Sequence, residues 1–184
     1  FEAPGDSAVH LGLAALSVLY VGGLLGSMVQ LRLLTVGDGA APSLLPLASL
    51  IGAVKLSDSM QYFVGKAFGK RKLAPKLSPG KTWEGTIGGI ALASLATALW
   101  LPVGVAGEAV FSTQRSLASL VFAVTVSVAG LVGDLAESLL KRDSGVKDSS
   151  DWMPGFGGVL DLLDSLLFAS PVALLFWASG WLAS

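Results

Sequence analysis

Residues 159–182 read VLDLLDSLLFASPVALLFWASGWL, and this stretch decides the fold class. Its only charges are Asp161 and Asp164, both within the first two turns. A bilayer core about 30 Å thick is crossed by a helix of roughly 20 apolar residues. The run is long enough for that, too long for a strand, and rich in Leu, Ala and Ser. Four further runs of the same kind occur at about residues 9–34, 44–68, 86–105 and 117–140. The second is interrupted by Lys55, Asp58, Gln61 and Lys66, and the fourth carries Asp134 and Glu137 near its end. The pattern predicts an all-α polytopic transmembrane helix bundle of about five spans, with residues 1–184 forming a single integral membrane domain.

Composition supports this class. Of 184 residues, 53% are hydrophobic and only 14% charged, against about 25% charged in an ordinary soluble domain. The mean hydropathy is +0.71. Intrinsic disorder is excluded on the same grounds. The chain has no cysteine and one histidine, His10. Disulfides, thiolate nucleophiles and Cys- or His-based metal clusters are therefore excluded. No internal repeat is evident. The first run lacks a basic leader and is too long for a secretory signal peptide, so it is expected to be a span.

The charges are sorted. Six of the twelve basic residues lie between Lys66 and Lys81, and Lys141, Arg142 and Lys147 follow the fourth run. With five alternating spans these two loops share one face, while the opposite loops hold only Arg115. The positive-inside rule makes the basic face cytoplasmic, with the amino terminus inside and the carboxyl terminus outside.

Seven of the thirteen acidic residues fall between Asp134 and Asp164. A carboxylate at the bilayer centre costs roughly 2.5–3.5 kcal/mol, so such residues gather at interfaces, in wet cavities or with partners. Asp134 and Glu137 are three apart and share a helix face, as do Asp161 and Asp164 on the next span. Two spans joined by one loop bring both pairs to a shared mouth. Oxygen ligands without His or Cys suit a hard cation such as Mg²⁺, which takes one or two carboxylates plus substrate phosphates. Solvation at the interface, or pairing with Lys141 and Arg142, accounts for one such pair; two pairs at matching depth favour a functional site.

Residues 69–85, GKRKLAPKLSPGKTWEG, form the second concentration. Lys70, Arg71 and Lys72 suit a loop against anionic headgroups. Gly80-Lys81-Thr82 is similar to the end of a phosphate-binding P-loop, but Pro75 replaces its first glycine and no strand is expected before it. A flexible Pro/Gly loop leading into a helix still offers Ser78, Lys81 and Thr82 to a phosphate. Gly157-Gly158 opens the last span, where a helix amino terminus favours anions. Most of the five tryptophans read as interfacial belt residues.

The stretch 138–164, SLLKRDSGVKDSSDWMPGFGGVLDLLD, resembles the signature of the phosphatidate cytidylyltransferase (CDP-diacylglycerol synthase) family. Ser138, Lys141-Arg142, Lys147-Asp148, Pro154, Gly157-Gly158, Asp161 and Asp164 stand at its spacing. Residues 76–85 are similar to a second family segment, and Asp58, Tyr62, Gly65, Gly69 and Lys70 to a third. Phe156 and Leu162 replace the family's His and Arg. The resemblance implies transfer of a cytidylyl group from CTP to phosphatidate, giving CDP-diacylglycerol and pyrophosphate. It assigns metal binding to Asp161 and Asp164, with Asp134 and Asp148 contributing. Lys147, Lys141, Arg142 and Lys81 would neutralise phosphate charge; Ser78, Thr82, Ser138, Gly157 and Gly158 would contact substrate; and Asp161, Asp164, Lys147 and Asp148 would be catalytic. The implied partners are CTP, phosphatidate and membrane lipid, with no nucleic acid and with a homodimer. The expected location is the bacterial inner membrane, with the site on the cytoplasmic side. Family chains carry further spans upstream, so this chain is expected to be the carboxyl-terminal part of a longer one. A CTP-dependent enzyme acting on another lipid, such as a polyprenol or an archaeal-type lipid, a secondary transporter or channel with Asp58, Asp134 and Asp161 as a cation path, and an inactive scaffold remain open readings.

Overall fold

The computed structural model describes residues 4–36, 42–106, 113–143, 145 and 158–182. Helix α1 (Pro4–Ser17), a π-helical turn (Val18–Gly23) and α2 (Leu24–Leu33) follow one another without a break. Then come α3 (Leu45–Phe68), strands β1 (Lys72–Ala74) and β2 (Ser78–Thr82), α4 (Trp83–Ala106), α5 (Thr113–Asp143) and α6 (Val159–Ala178). Among the described residues four segments are long and apolar enough to cross a membrane: Ser7–Leu33, Trp83–Val103, Gln114–Asp143 and Val159–Ala178. Helix α3 has 24 residues, about 36 Å at 1.5 Å per residue, but carries Lys55, Asp58 and Lys66. The protein is an all-α polytopic membrane bundle, and its helices coincide with the five predicted runs to within a few residues.

Small residues let the helices meet. A Cβ on Gly85 of α4 would stand 2.7 Å from the Gly65 Cα and 2.8 Å from the Gln61 carbonyl on α3. Gly89, one turn on, also lies against the Gln61 backbone. At the other seam, a Cβ on Gly133 of α5 would stand 2.8 Å from the Asp164 carbonyl of α6. Backbones this close gain dispersion contacts that lipid tails cannot match, which is how small residues join helices in a bilayer. Leu50, Val54, Leu101, Phe122, Val126, Leu166, Ala169 and Ala173 fill the core. Helix α6 packs on α2, α3 and α5. By contrast Val9, Leu11, Leu16, Leu19, Leu95, Leu99 and Leu175 face outward, as expected where the solvent is hydrocarbon.

Two features depart from the sequence reading. Trp177 is no belt residue: it is buried, and its Nε1–H donates to Ser49 Oγ of α3 at 2.9 Å. A buried indole needs such a partner for its N–H. Second, the expected flexible loop before α4 is an antiparallel hairpin, pairing Lys72 with Thr82 and Ala74 with Ser78. Glu84 in the first turn of α4 accepts the backbone N–H groups of Lys70 and Arg71 at 3.0 and 3.1 Å. Trp83 N–H donates to the Arg71 carbonyl at 2.9 Å. These bonds tether the start of the hairpin to the helix that follows it.

Candidate functional site

The second half of α3, the hairpin, the start of α4, the end of α5 and the start of α6 enclose a cavity of about 360 Å³. Lys55, Asp58, Gln61 and Tyr62 line it from α3, and Ser78, Gly80, Lys81 and Thr82 from β2. Thr86 of α4, Asp134 of α5, and Asp161, Asp164 and Ser165 of α6 complete the wall. A neighbouring recess of about 380 Å³ shares Tyr62, Gly80 and Thr82 and is flanked by Lys66 and Lys72.

Thr82 is placed by its capping role. Its Oγ1 accepts the Gly85 N–H at 3.1 Å, the ordinary bond of an amino-terminal cap to the third residue of its helix. Its hydroxyl proton is still available to an anion in the cavity. The preceding residue, Lys81, forms an ion pair with Asp134 across the cavity. Burial pushes the Lys81 ammonium below the usual lysine range, while Asp58 and Asp164 act in the opposite sense. These neighbouring carboxylates offset part of the cost of burying the ammonium.

On α6, Asp161 sits at the third helical position, and its Oδ2 accepts the Gly158 N–H at 2.6 Å. Its Oδ1 accepts from Lys141 Nζ at 2.7 Å. Asp164 is buried, 5% exposed. Its Oδ1 accepts the Ser165 backbone N–H at 2.5 Å and the Ser165 hydroxyl at 3.1 Å. Lys55 on α3 lies 3.7 Å from Asp58 and donates to the Leu162 carbonyl at 3.1 Å. Four carboxylates therefore line the cavity against the ammonium groups of Lys55 and Lys81, an excess of negative charge.

The structure brings together Ser78, Lys81, Thr82, Asp134, Asp161 and Asp164. Gly158 stands directly behind Asp161. Lys141 is held by Glu137 and Asp161 rather than lining the cavity. Ser138 and Arg142 lie on the same end of α5 but outside the lining, and Arg142 is exposed. Lys147, Asp148 and Gly157 lie outside the described residues, as does Phe156. Lys55, Gln61, Thr86 and Ser165 line the cavity without having been singled out as site residues. Lys55 and Gln61 had a signal, since they break an apolar run; Thr86 and Ser165 had none.

The donor set bears on a metal. Among the described residues no three acidic or histidine side chains stand close enough to cage an ion. Each of Asp134, Asp161 and Asp164 has a protein partner. Their oxygens are the donor type a hard cation takes, and an ion held by one or two of them would draw its remaining ligands from water and substrate phosphates. The excess of carboxylate oxygens is the chemistry such an ion takes.

A profile of the cytidylyltransferase family matches residues 5–179. The chain is 54% identical over 142 residues to the phosphatidate cytidylyltransferase of Pseudomonas aeruginosa, covering 74% of this chain and 51% of that protein. It is 46% identical over 115 residues to the phosphatidate cytidylyltransferase of Haemophilus influenzae, covering 62% of this chain and 39% of that protein. With that of Bacillus subtilis it shares 38% identity over 163 residues, covering 88% of this chain and 56% of that protein. The chain thus spans about half the length of the curated relatives it matches.

Proposed function

The chain belongs to the cytidylyltransferase family, and from that membership we propose that it transfers the cytidylyl group of CTP to phosphatidate. The products are CDP-diacylglycerol and pyrophosphate. The observation that carries this reading is the cavity itself. It joins a lysine and two hydroxyls on a hairpin, Lys81, Ser78 and Thr82, to four carboxylates contributed by three helices, Asp58 of α3, Asp134 of α5, and Asp161 and Asp164 of α6. The relatives named above support the choice of substrates.

The chemistry asks little of acid–base groups. A phosphate oxygen of phosphatidate, already ionised, attacks the α-phosphorus of CTP. One P–O bond forms, and the bond from the α-phosphorus to the bridging oxygen of the β-phosphate breaks. The electron pair leaves with pyrophosphate. No proton must be removed from the nucleophile, so a chain with no cysteine and a single histidine suffices. Two polyanions must instead be brought together and aligned, which is work for charge and positioning.

Lys81 supplies positive charge at the cavity wall, and Ser78 and Thr82 donate hydroxyl hydrogen bonds to phosphate oxygens. Gly80 leaves the backbone of β2 open to close approach. Asp161 and Asp164, with Asp134, would hold Mg²⁺, which when bound supplies the charge neutralisation that this acidic lining requires. Lys147 and Asp148 belong to the same proposal by their place in the signature.

Because the cavity opens beside the hairpin and reaches between the helices, the acyl chains stay in lipid while the headgroup enters. By the charge sorting of the loops, this end faces the cytoplasm across the bacterial inner membrane. The proposal extends to a homodimer and to this chain as one membrane domain of a longer protein. The deciding experiment supplies radiolabelled CTP and phosphatidate to the full-length protein in membranes, with and without Mg²⁺. Labelled CDP-diacylglycerol is the expected product. Absence of product with phosphatidate but transfer to another lipid phosphate would overturn the substrate assignment.

A further inference from the structure

Glu137 is 1% exposed, the most deeply buried charged side chain among the described residues. It does not line the cavity. Its Oε2 lies 2.7 Å from Lys141 Nζ, one turn further along α5. The same ammonium lies 2.7 Å from Asp161 Oδ1 on α6. The other oxygen of Asp161 accepts the Gly158 N–H at 2.6 Å. One lysine therefore bridges two helices through two carboxylates.

We propose that Glu137 is a positioning residue that holds the Lys141 ammonium against Asp161, so that Lys141 orients a site carboxylate and does not itself bind substrate. The inference rests on the cytidylyl-transfer reading for what Asp161 does, but not for how it is held. A lysine carries four rotatable methylenes and is a loose partner when tied at one point. Glu137 ties it at a second point on its own helix, at the i,i+4 spacing that α-helices favour. The arrangement also settles an electrostatic conflict. An ammonium beside the amino terminus of α6 opposes the helix dipole, and the two carboxylates offset it. With one oxygen held by Lys141 and the other by Gly158, the Asp161 carboxylate is fixed in orientation at the cavity wall.

The test uses the full-length protein and two readouts. The first is brief acetylation with acetic anhydride, read by peptide mass spectrometry. Lys141 is expected to react several-fold more slowly than exposed Lys70, and several-fold faster in Glu137→Gln than in the parent. The second is steady-state kinetics. Glu137→Gln and Lys141→Met are each expected to lower kcat about 10-fold or more, the usual scale for groups that orient a site ligand. The KM for CTP should stay within about 2-fold, and the double variant should be no worse than the poorer single one.

Three results would overturn the proposal: Lys141→Met raising KM with kcat retained, effects that multiply in the double variant, or unchanged Lys141 reactivity in Glu137→Gln. If Glu137→Gln does not fold, Glu137→Asp shortens the tether by one methylene and should raise Lys141 reactivity in the same direction; no rise would count against the proposal. Acetylation needs no turnover. A parent protein inactive on CTP would thus sink the proposed reaction while the positioning role is still judged.

Discussion

Gly85 of α4 lies so close to Gly65 of α3 that a Cβ on Gly85 would stand 2.7 Å from the Gly65 Cα. The residue facing this contact, Gln61, lines the cavity, so the approach of the two helices fixes the width of one wall. Gly85→Ala forces backbone against backbone and should destabilise the protein by about 1–3 kcal/mol, the range for overpacking. Gly26→Ala in α2 meets nothing within 4 Å. It should be neutral or stabilising by up to about 1 kcal/mol. Thermal unfolding of both variants in the same detergent checks the pair.

Asp164→Asn keeps shape and removes charge from a buried carboxylate that lines the cavity. Turnover should fall at least about 100-fold, the scale for losing one electrostatic group in an active site. Ser165→Ala removes only the hydroxyl that donates to Asp164 and should fall about 10-fold or less. Incorporation of label from CTP into lipid measures both, with recovery of folded protein from membranes as the control.

Lys81 and Asp134 separate stability from chemistry. Both are about three-quarters buried, at 21% and 26% side-chain exposure. Lys81→Met leaves Asp134 without its ammonium and should cost about 1–3 kcal/mol, between the values for exposed and fully buried pairs. Adding Asp134→Asn should restore most of that stability and none of the activity. Recovery of turnover in the double variant would show that neither charge serves the reaction.

Trp177 tests the far end of the bundle. Trp177→Phe loses the hydrogen bond to Ser49 and should cost about 1 kcal/mol. No cavity residue touches this bond, so the KM for CTP should be unchanged. A lower midpoint of thermal unfolding with normal KM is the expected outcome.

The helices were legible because hydropathy reports the bilayer directly, and a run such as 117–140 has few other ways to fold. The carboxylates were legible for a related reason, since charge in an apolar run is costly and stands out. The hairpin was missed: three and five residues around Pro75 are too short for periodicity to speak, and the bonds that hold it come from Glu84, outside its strands. Lys141 was given to phosphate by the family resemblance, while its spacing of four from Glu137 carried a second signal, and the structure pairs it with Glu137 and Asp161. The spacing Gly85-Gly89 in α4 carried a signal for a close helix seam that went unread, and which faces meet is a three-dimensional fact. Trp177 shows the converse error, in which a residue type common at interfaces serves in the interior.

The hairpin has no core of its own, yet it carries Ser78, Lys81 and Thr82. Its first strand follows two backbone amides gripped by a single surface carboxylate, Glu84. Glu84 therefore works as a clasp on the leading edge of the hairpin. Lys81 and Thr82 at its trailing edge have ties of their own, to Asp134 and to the Gly85 amide. The rim of the cavity is thus fastened at two edges by separate contacts, so releasing Glu84 would free the outer edge while the inner one stays in place.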